Sequence, residues 1–182
     1  IMRSLLDRIE DPETGRILLP EFHVEIPHVR RLEAEETARV TEPYAATMPF
    51  VHGAVPMTSD PVEQLLAHTW RPTLSVVGAD GFPPTNRAGN VLRPYTALRL
   101  SIRIPPTCDH TRAAEALERT LTENPPYGAR VTFEPDHVAP AWCAPPFAPW
   151  LDRSLQSASE AVFGRPARAF GEGGTIPFMG ML

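Results

Sequence analysis

The sequence predicts an α+β fold built on an antiparallel sheet with two helices, and three observations support it. In ALRLSIRIPP, residues 97–106, Leu98, Leu100, Ile102 and Ile104 alternate with Arg99, Ser101 and Arg103, the period-two pattern of a strand with one buried face. Asp109 then stands as an N-cap before TRAAEALERTLTE, where Ala113, Ala114, Leu117 and Leu121 fall on one helical face. The order strand, strand, helix, strand, with a helix before it, is most of a ferredoxin-like split βαβ sandwich that lacks one initial strand.

Along the chain, IMRSLLDRIED places Ile1, Leu5, Leu6 and Ile9 on one face, as in the tail of an amphipathic helix. PETGRILLPE reads as a turn and a short extended piece, and residues 33–40 as a polar helix. Residues 41–60, rich in Pro, Thr and Gly, read as irregular connection. Asp60 followed by Pro61, Val62 and Glu63 has the signature of an N-cap, a proline-first start and an acidic first turn, so PVEQLLAHTW is expected to be a helix. TLSVVGA (73–79) reads as a strand, residues 80–89 as turns, and ARVTFE (129–134) as a further strand.

After Trp142 the character changes. PPFAPWLDRSLQSASEAVFG is expected to form a proline-led helix, ARAFG a short strand, and GEGG a turn into Thr175. This order suits an α/β layer, so a boundary is expected near residue 143, separating domain 1–142 from a partial domain 143–182. Within the first, residues 21–70 form an irregular insertion with short helices.

Composition bounds the function. The chain has 182 residues, 42% hydrophobic and 21% charged, and a formal net charge of −5. That balance leaves no basic stripe for phosphates, so no nucleic-acid partner is expected. All 17 basic residues are arginine, which carries no functional weight. No apolar run reaches membrane-spanning length and no cleavable apolar leader is visible, so neither a membrane partner nor export is expected. Cys108 and Cys143 form no CxxC, and the six histidines show no paired metal-ligand spacing. A reduced, cytoplasmic setting is the expectation.

The glycine-rich FGEGGTIP stretch permits close approach of another group to the backbone. If a helix starts at Thr175 or Ile176, Pro177 suits its first turn, and free amides at such a start attract carboxylates. By pattern alone, a tight turn with no ligand fits better.

Four segments together resemble the zinc-dependent metallopeptidase family twenty, which includes carnosinase, cytosolic nonspecific dipeptidase, aminoacylase and succinyl-diaminopimelate desuccinylase. They are the opening helix with GRILLP (15–20), RPTLSVVGADGF (71–82), GNVLRPYTALRLSIRIPP (89–106) and EAVFGRPARAFGEGGTIP (160–177). The likeness is nearest to the carnosinase-like dipeptidase branch and is loosest over residues 21–70. It implies a lid domain that also makes a homodimer, followed by part of an α/β catalytic domain that holds two Zn²⁺ in the full-length enzyme. The family's HxD motif, bridging aspartate, Glu-Glu pair and final histidine have no counterparts in this sequence. The chain is therefore expected to be a fragment that is inactive alone and binds no zinc of its own. In the intact family, bound water attacks a carbonyl polarised by zinc while a glutamate moves the proton.

Residue by residue, the resemblance implies a substrate-binding set. Arg103 matches the arginine that clamps the substrate's terminal carboxylate, a task suited to a guanidinium fork. By pattern alone it is an ordinary solvated strand arginine. Thr175 matches the serine of the family's GGSIP turn, with Gly174 beside it, whose hydroxyl and amides hold the same carboxylate. Asn90 matches a Thr or Asn that reaches toward the substrate from the lid; by pattern alone it is a turn residue tolerant of left-handed backbone. Glu172 reads as support for the turn and the Ser154, Ser157 and Ser159 group as a helix face. The implied substrate is a small peptide or N-acyl amino acid, cleaved next to a free carboxylate. The competing hypotheses are a non-catalytic carboxylate-binding or dimerisation module and an inactive family member.

Overall fold

The structure is a computed structural model that describes residues 1–173 and Met179. Among these residues, five α-helices and two strands follow one another in the order α1 (Met2–Leu6), α2 (His28–Ala38), α3 (Pro61–Trp70), β1 (Thr73–Asp80), β2 (Ala97–Arg103), α4 (His110–Thr122) and α5 (Pro149–Phe163). The α+β expectation stands. No helix among the described residues is long and apolar enough to cross a membrane.

The two strands pair antiparallel, from Thr73 opposite Arg103 to Asp80 opposite Ala97, with a bulge at Val77. Along β2 the alternation works as expected: Arg99, Ser101 and Arg103 are exposed while Leu98, Leu100 and Ile102 are half-buried. A one-residue slip would have turned the arginines inward. Leu74, Leu100, Ile102 and Ile104 pack on a buried cluster containing Ala113, Ala116, Leu117 and Leu121 of α4. Leu5, Ile9, Ile17, Leu19 and Phe22 complete that cluster from the N-terminal segment. Of the expected N-terminal face, Leu5 and Ile9 are buried, Leu6 is half-buried and Ile1 is exposed.

A second cluster joins Leu65, Leu66 and Trp70 of α3 to Ala34 of α2, and Val24 packs against both clusters. The start of α3 is as the sequence predicts: the Asp60 carboxylate accepts from the Val62 amide at 2.9 Å, with Pro61 in the first turn. Asp109 likewise accepts from the amides of Thr111 and Arg112, both at 3.1 Å. The other end of α4 is closed by a remote side chain. Arg8 donates to the carbonyls of Thr120, Glu123 and Asn124 at 3.1, 2.8 and 2.7 Å.

Four expectations need correction. First, α2 begins at His28, not residue 33; its first turn has no side-chain cap to announce it, and Arg30 pairs with Glu33 at 2.9 Å within it. Second, α4 buries Ala116 where Ala114 was expected, and Ala114 is half-buried. Third, residues 129–134 form no strand. Ala129, Val131 and Phe133 are half-buried in alternation, and Val131 and Phe133 lie on the core. The sequence pattern reported that contact with the core, and a ladder partner is a separate requirement. Fourth, residues 167–171 form no strand either. Their backbone groups bond to helix side chains: Ala167 to the Gln156 amide, Ala169 O to Thr37 Oγ1 at 2.9 Å, and Gly171 O to Thr69 Oγ1 at 2.9 Å.

Candidate functional site

Arg103 closes β2 on its exposed face, opposite Thr73. Arg99, two rungs earlier on the same face, pairs with Asp136. The Arg103 guanidinium makes no ion pair among the described residues. A guanidinium held on a rigid strand and unspent on protein carboxylates suits bidentate capture of a carboxylate from solution.

Asn90 is exposed in the loop joining Asp80 to Ala97. That loop enters the ladder at Ala97, and six residue steps at strand rise separate Ala97 from Arg103, roughly 20 Å. The two residues therefore belong to opposite ends of the ladder, and the described contacts do not join them. The base of the loop is tied shut. Tyr95 Oη donates to Asp80 at 2.8 Å, the Gly81 amide donates to the same carboxylate at 2.7 Å, and Arg93 lies 4.1 Å over the Phe82 ring. Gly81 has φ +81°, and a Cβ there would overlap the Tyr95 carbonyl oxygen, so only glycine fits this corner. The Tyr95 hydroxyl, then the Gly81 amide, hold the Asp80 carboxyl below its usual range. The same hydrogen bond, with the negative charge of Asp80, raises the Tyr95 hydroxyl.

Gly174 and Thr175 lie outside the described residues, as does any helix start at Thr175 or Ile176. The segment leading to them is described up to Gly173, and it lies on the C-terminal turn of α3. A Cβ on Gly173 would overlap the His68 carbonyl oxygen and lie 3.2 Å from His68 Nε2. A Cβ on Gly171 would come within 2.5 Å of Thr69 Cγ2. Gly173 is required by close approach to the helix backbone, whereas Gly171 lies against the Thr69 side chain. Glu172 places a carboxylate oxygen 3.6 Å from His68 Nε2. Sequence reasoning missed His68, Thr69 and Thr37. The glycine spacing announced that something comes close, and nothing local to the chain said what.

Among the described residues, no group of three or more His, Cys, Asp or Glu converges to hold a metal ion. These residues do not fit a zinc centre, and no catalytic step is assigned to them. Ser154, Ser157 and Ser159 all lie on α5.

No protein-family model matches the sequence, and no curated protein does. The solved structures do match. The di-peptidase Dug1p from Saccharomyces cerevisiae aligns over 97% of this chain and 37% of its own, at TM-score 0.71 and 20% identity. Human carnosine dipeptidase 1 aligns over 99% of this chain and 38% of its own, at TM-score 0.69 and 17% identity. An M20 family metallo-carboxypeptidase from Sulfolobus solfataricus, Sso-CP2, reaches a TM-score of only 0.48 and carries no weight here. This chain thus has the fold of a part of two dipeptidases, spanning under two-fifths of their length.

Proposed function

We propose that this chain is the substrate-carboxylate-binding and dimerising part of a two-zinc metallopeptidase of the dipeptidase or aminoacylase type. Its substrate is a small peptide or N-acyl amino acid, cleaved next to a free carboxylate, and the zinc ligands are carried elsewhere in the protein. The reading rests on one observation, the alignment of nearly the whole chain with two dipeptidases. The exposed Arg103 is consistent with it: the guanidinium clamps the terminal carboxylate, and Gly174 and Thr175 offer amides and a hydroxyl to the same group, while Asn90, at the other end of the ladder, reaches toward the substrate from the lid. Two copies associate through the lid, and the enzyme works in the cytoplasm.

The test is the full reading frame, expressed and assayed for zinc content and for hydrolysis of dipeptides and N-acyl amino acids. Two zinc ions per chain with chelator-sensitive hydrolysis is the expected result. A full-length product with neither would overturn the reading.

A further inference from the structure

Residues 129–134 are placed like a strand and bonded like a loop. Ala129, Val131 and Phe133 are half-buried in alternation with the exposed Arg130, Thr132 and Glu134. Val131 and Phe133 pack on the cluster that α4 shares with Leu100 and Ile102 of β2. Among the described residues, no backbone hydrogen bond joins residues 130–134 to another part of the main chain. β2 pairs with β1 alone, so its second edge also carries amides and carbonyls outside any ladder. Two such lines over one core are what an extended chain binds.

The two lines run the same way. β2 leads into the start of α4, and residues 129–134 return from its end. They run back along the helix, so that Phe133, Pro135 and Val138 line a groove with His110, Thr111 and Ala114 of its first turns. Strand–helix–strand units of this kind set their strands parallel. A single strand between them would hold them two spacings apart, about 10 Å. The ion pair of Arg99 on β2 with Asp136 is consistent with that width, because two extended side chains can close it.

We propose that β2 and residues 129–134 are the walls of a strand-accepting slot, and that its occupant is a strand of the same protein lying before Ile1. Antiparallel to both walls, the occupant makes a four-stranded sheet in the order β1, β2, occupant, 129–134. It is then parallel to β1, the relation that a crossover through a helix allows. α1 begins such a crossover, and Leu5 and Ile9 already bring this part of the chain to the same cluster. The occupant's inner face is apolar at every second residue, to continue the surface of Leu100, Ile102, Val131 and Phe133 over α4. Its outer face runs beside Arg99 and Arg103, where an acidic or hydroxyl side chain suits the cross-strand position.

The length of the related folds leaves ample chain for this strand, since residues 1–182 span under two-fifths of either dipeptidase. A strand from a second copy offers the same ladders. A segment tethered directly to α1 outcompetes it, because its effective concentration is on the order of millimolar. The slot involves neither zinc nor substrate, so its failure would leave the peptidase reading in place.

The experiment compares this chain with the full-length protein by hydrogen exchange read by mass spectrometry. Peptides covering 129–134 should exchange roughly tenfold more slowly in the full-length protein, with α4 unchanged. Thr132→Pro removes one ladder donor at an exposed position. It should restore fast exchange over 129–134 in the full-length protein and leave the profile of this chain as it was. Thr132→Cys, combined in turn with cysteines at alternate positions before Ile1, should give a disulfide within one polypeptide, a result decided in the full-length protein alone. Equal exchange of 129–134 in the two proteins, or a Thr132→Cys cross-link that joins two polypeptides, would overturn the proposal.

Discussion

Arg103 stands opposite Thr73 on the last rung of the β1–β2 ladder, at the end remote from the loop that carries Asn90. A guanidinium in that place is braced by a strand whose other face is anchored in the core through Leu100, Ile102 and Ile104. Its removal should therefore leave the fold intact.

In the full-length protein, Arg103→Ala should lower kcat/KM well over tenfold. Losing a charge-assisted pair in a partly desolvated site costs about 2–5 kcal/mol. Arg103→Lys should recover only part of the loss, because a point charge cannot replace the fork. Substrates with an amidated terminus should be poor for the wild type and indifferent to the mutation. Free acid and amide measured against Arg and Ala decide it; equal harm to both substrates would make Arg103 structural.

Gly173→Ala should unseat the segment from α3. The added methyl meets the backbone carbonyl of His68, which cannot swing aside as a side-chain tip could. Overpacking of this kind costs roughly 1–3 kcal/mol. Gly89→Ala is the control, because a Cβ there meets nothing within 4 Å. Amide shifts of His68 and Thr69 should move in Gly173→Ala and stay in place in Gly89→Ala. Identical spectra for both variants would show that the close approach is not a constraint.

How much of this was legible in advance depended on distance along the chain. The caps at Asp60 and Asp109 and the alternation in β2 are local patterns, complete within a few residues, and the structure bears them out. Residues 129–134 and 167–171 show the same alternation without a ladder, because half-burial on one face does not supply a hydrogen-bonded neighbour. In the second case the carbonyls of Ala169 and Gly171 bond to Thr37 and Thr69, 132 and 102 residues away, and no local window can contain such partners. The candidate site divides the same way. Arg103 was visible as a polar position in a strand, whereas His68 looked like an isolated histidine until the fold brought Glu172 and Gly173 against it.

The closed base of the β1–β2 loop should depend on pH at both extremes. The carboxyl of Asp80 is held below its usual range by Tyr95 and Gly81, so its contribution is complete above the unfolded value of about 3.9 and is lost as pH falls through the lower folded value. The Tyr95 hydroxyl is raised, so its contribution is present below about 10 and is lost as pH rises through the higher folded value. Exchange protection of the Gly81 amide should follow the acid limb. Tyr95→Phe should move that loss to higher pH; an unchanged midpoint would mean the hydroxyl does not hold the carboxylate.

Arg8 should prove a stabilising residue out of proportion to its partly exposed position. Its guanidinium reaches three carbonyls at the end of α4, those of Thr120, Glu123 and Asn124. A helix C-terminus leaves its last carbonyls without intrahelical partners and carries partial negative charge, so a cation there satisfies both needs. It also ties the segment after α1 to α4, whose apolar residues share one cluster with Leu5 and Ile9. Hydrogen bonds to a charged group, discounted for partial exposure, put the cost of Arg8→Ala at about 1–2 kcal/mol. For a chain of this length that lowers Tm by roughly 3–6 °C. Arg8→Lys should fall between, since an ammonium cannot span three carbonyls as the planar fork does. Arg16→Ala, at an exposed arginine, is the comparison, and thermal unfolding of the four proteins is the measurement. If Arg8→Ala melts with Arg16→Ala, the capping of α4 by Arg8 contributes nothing to stability.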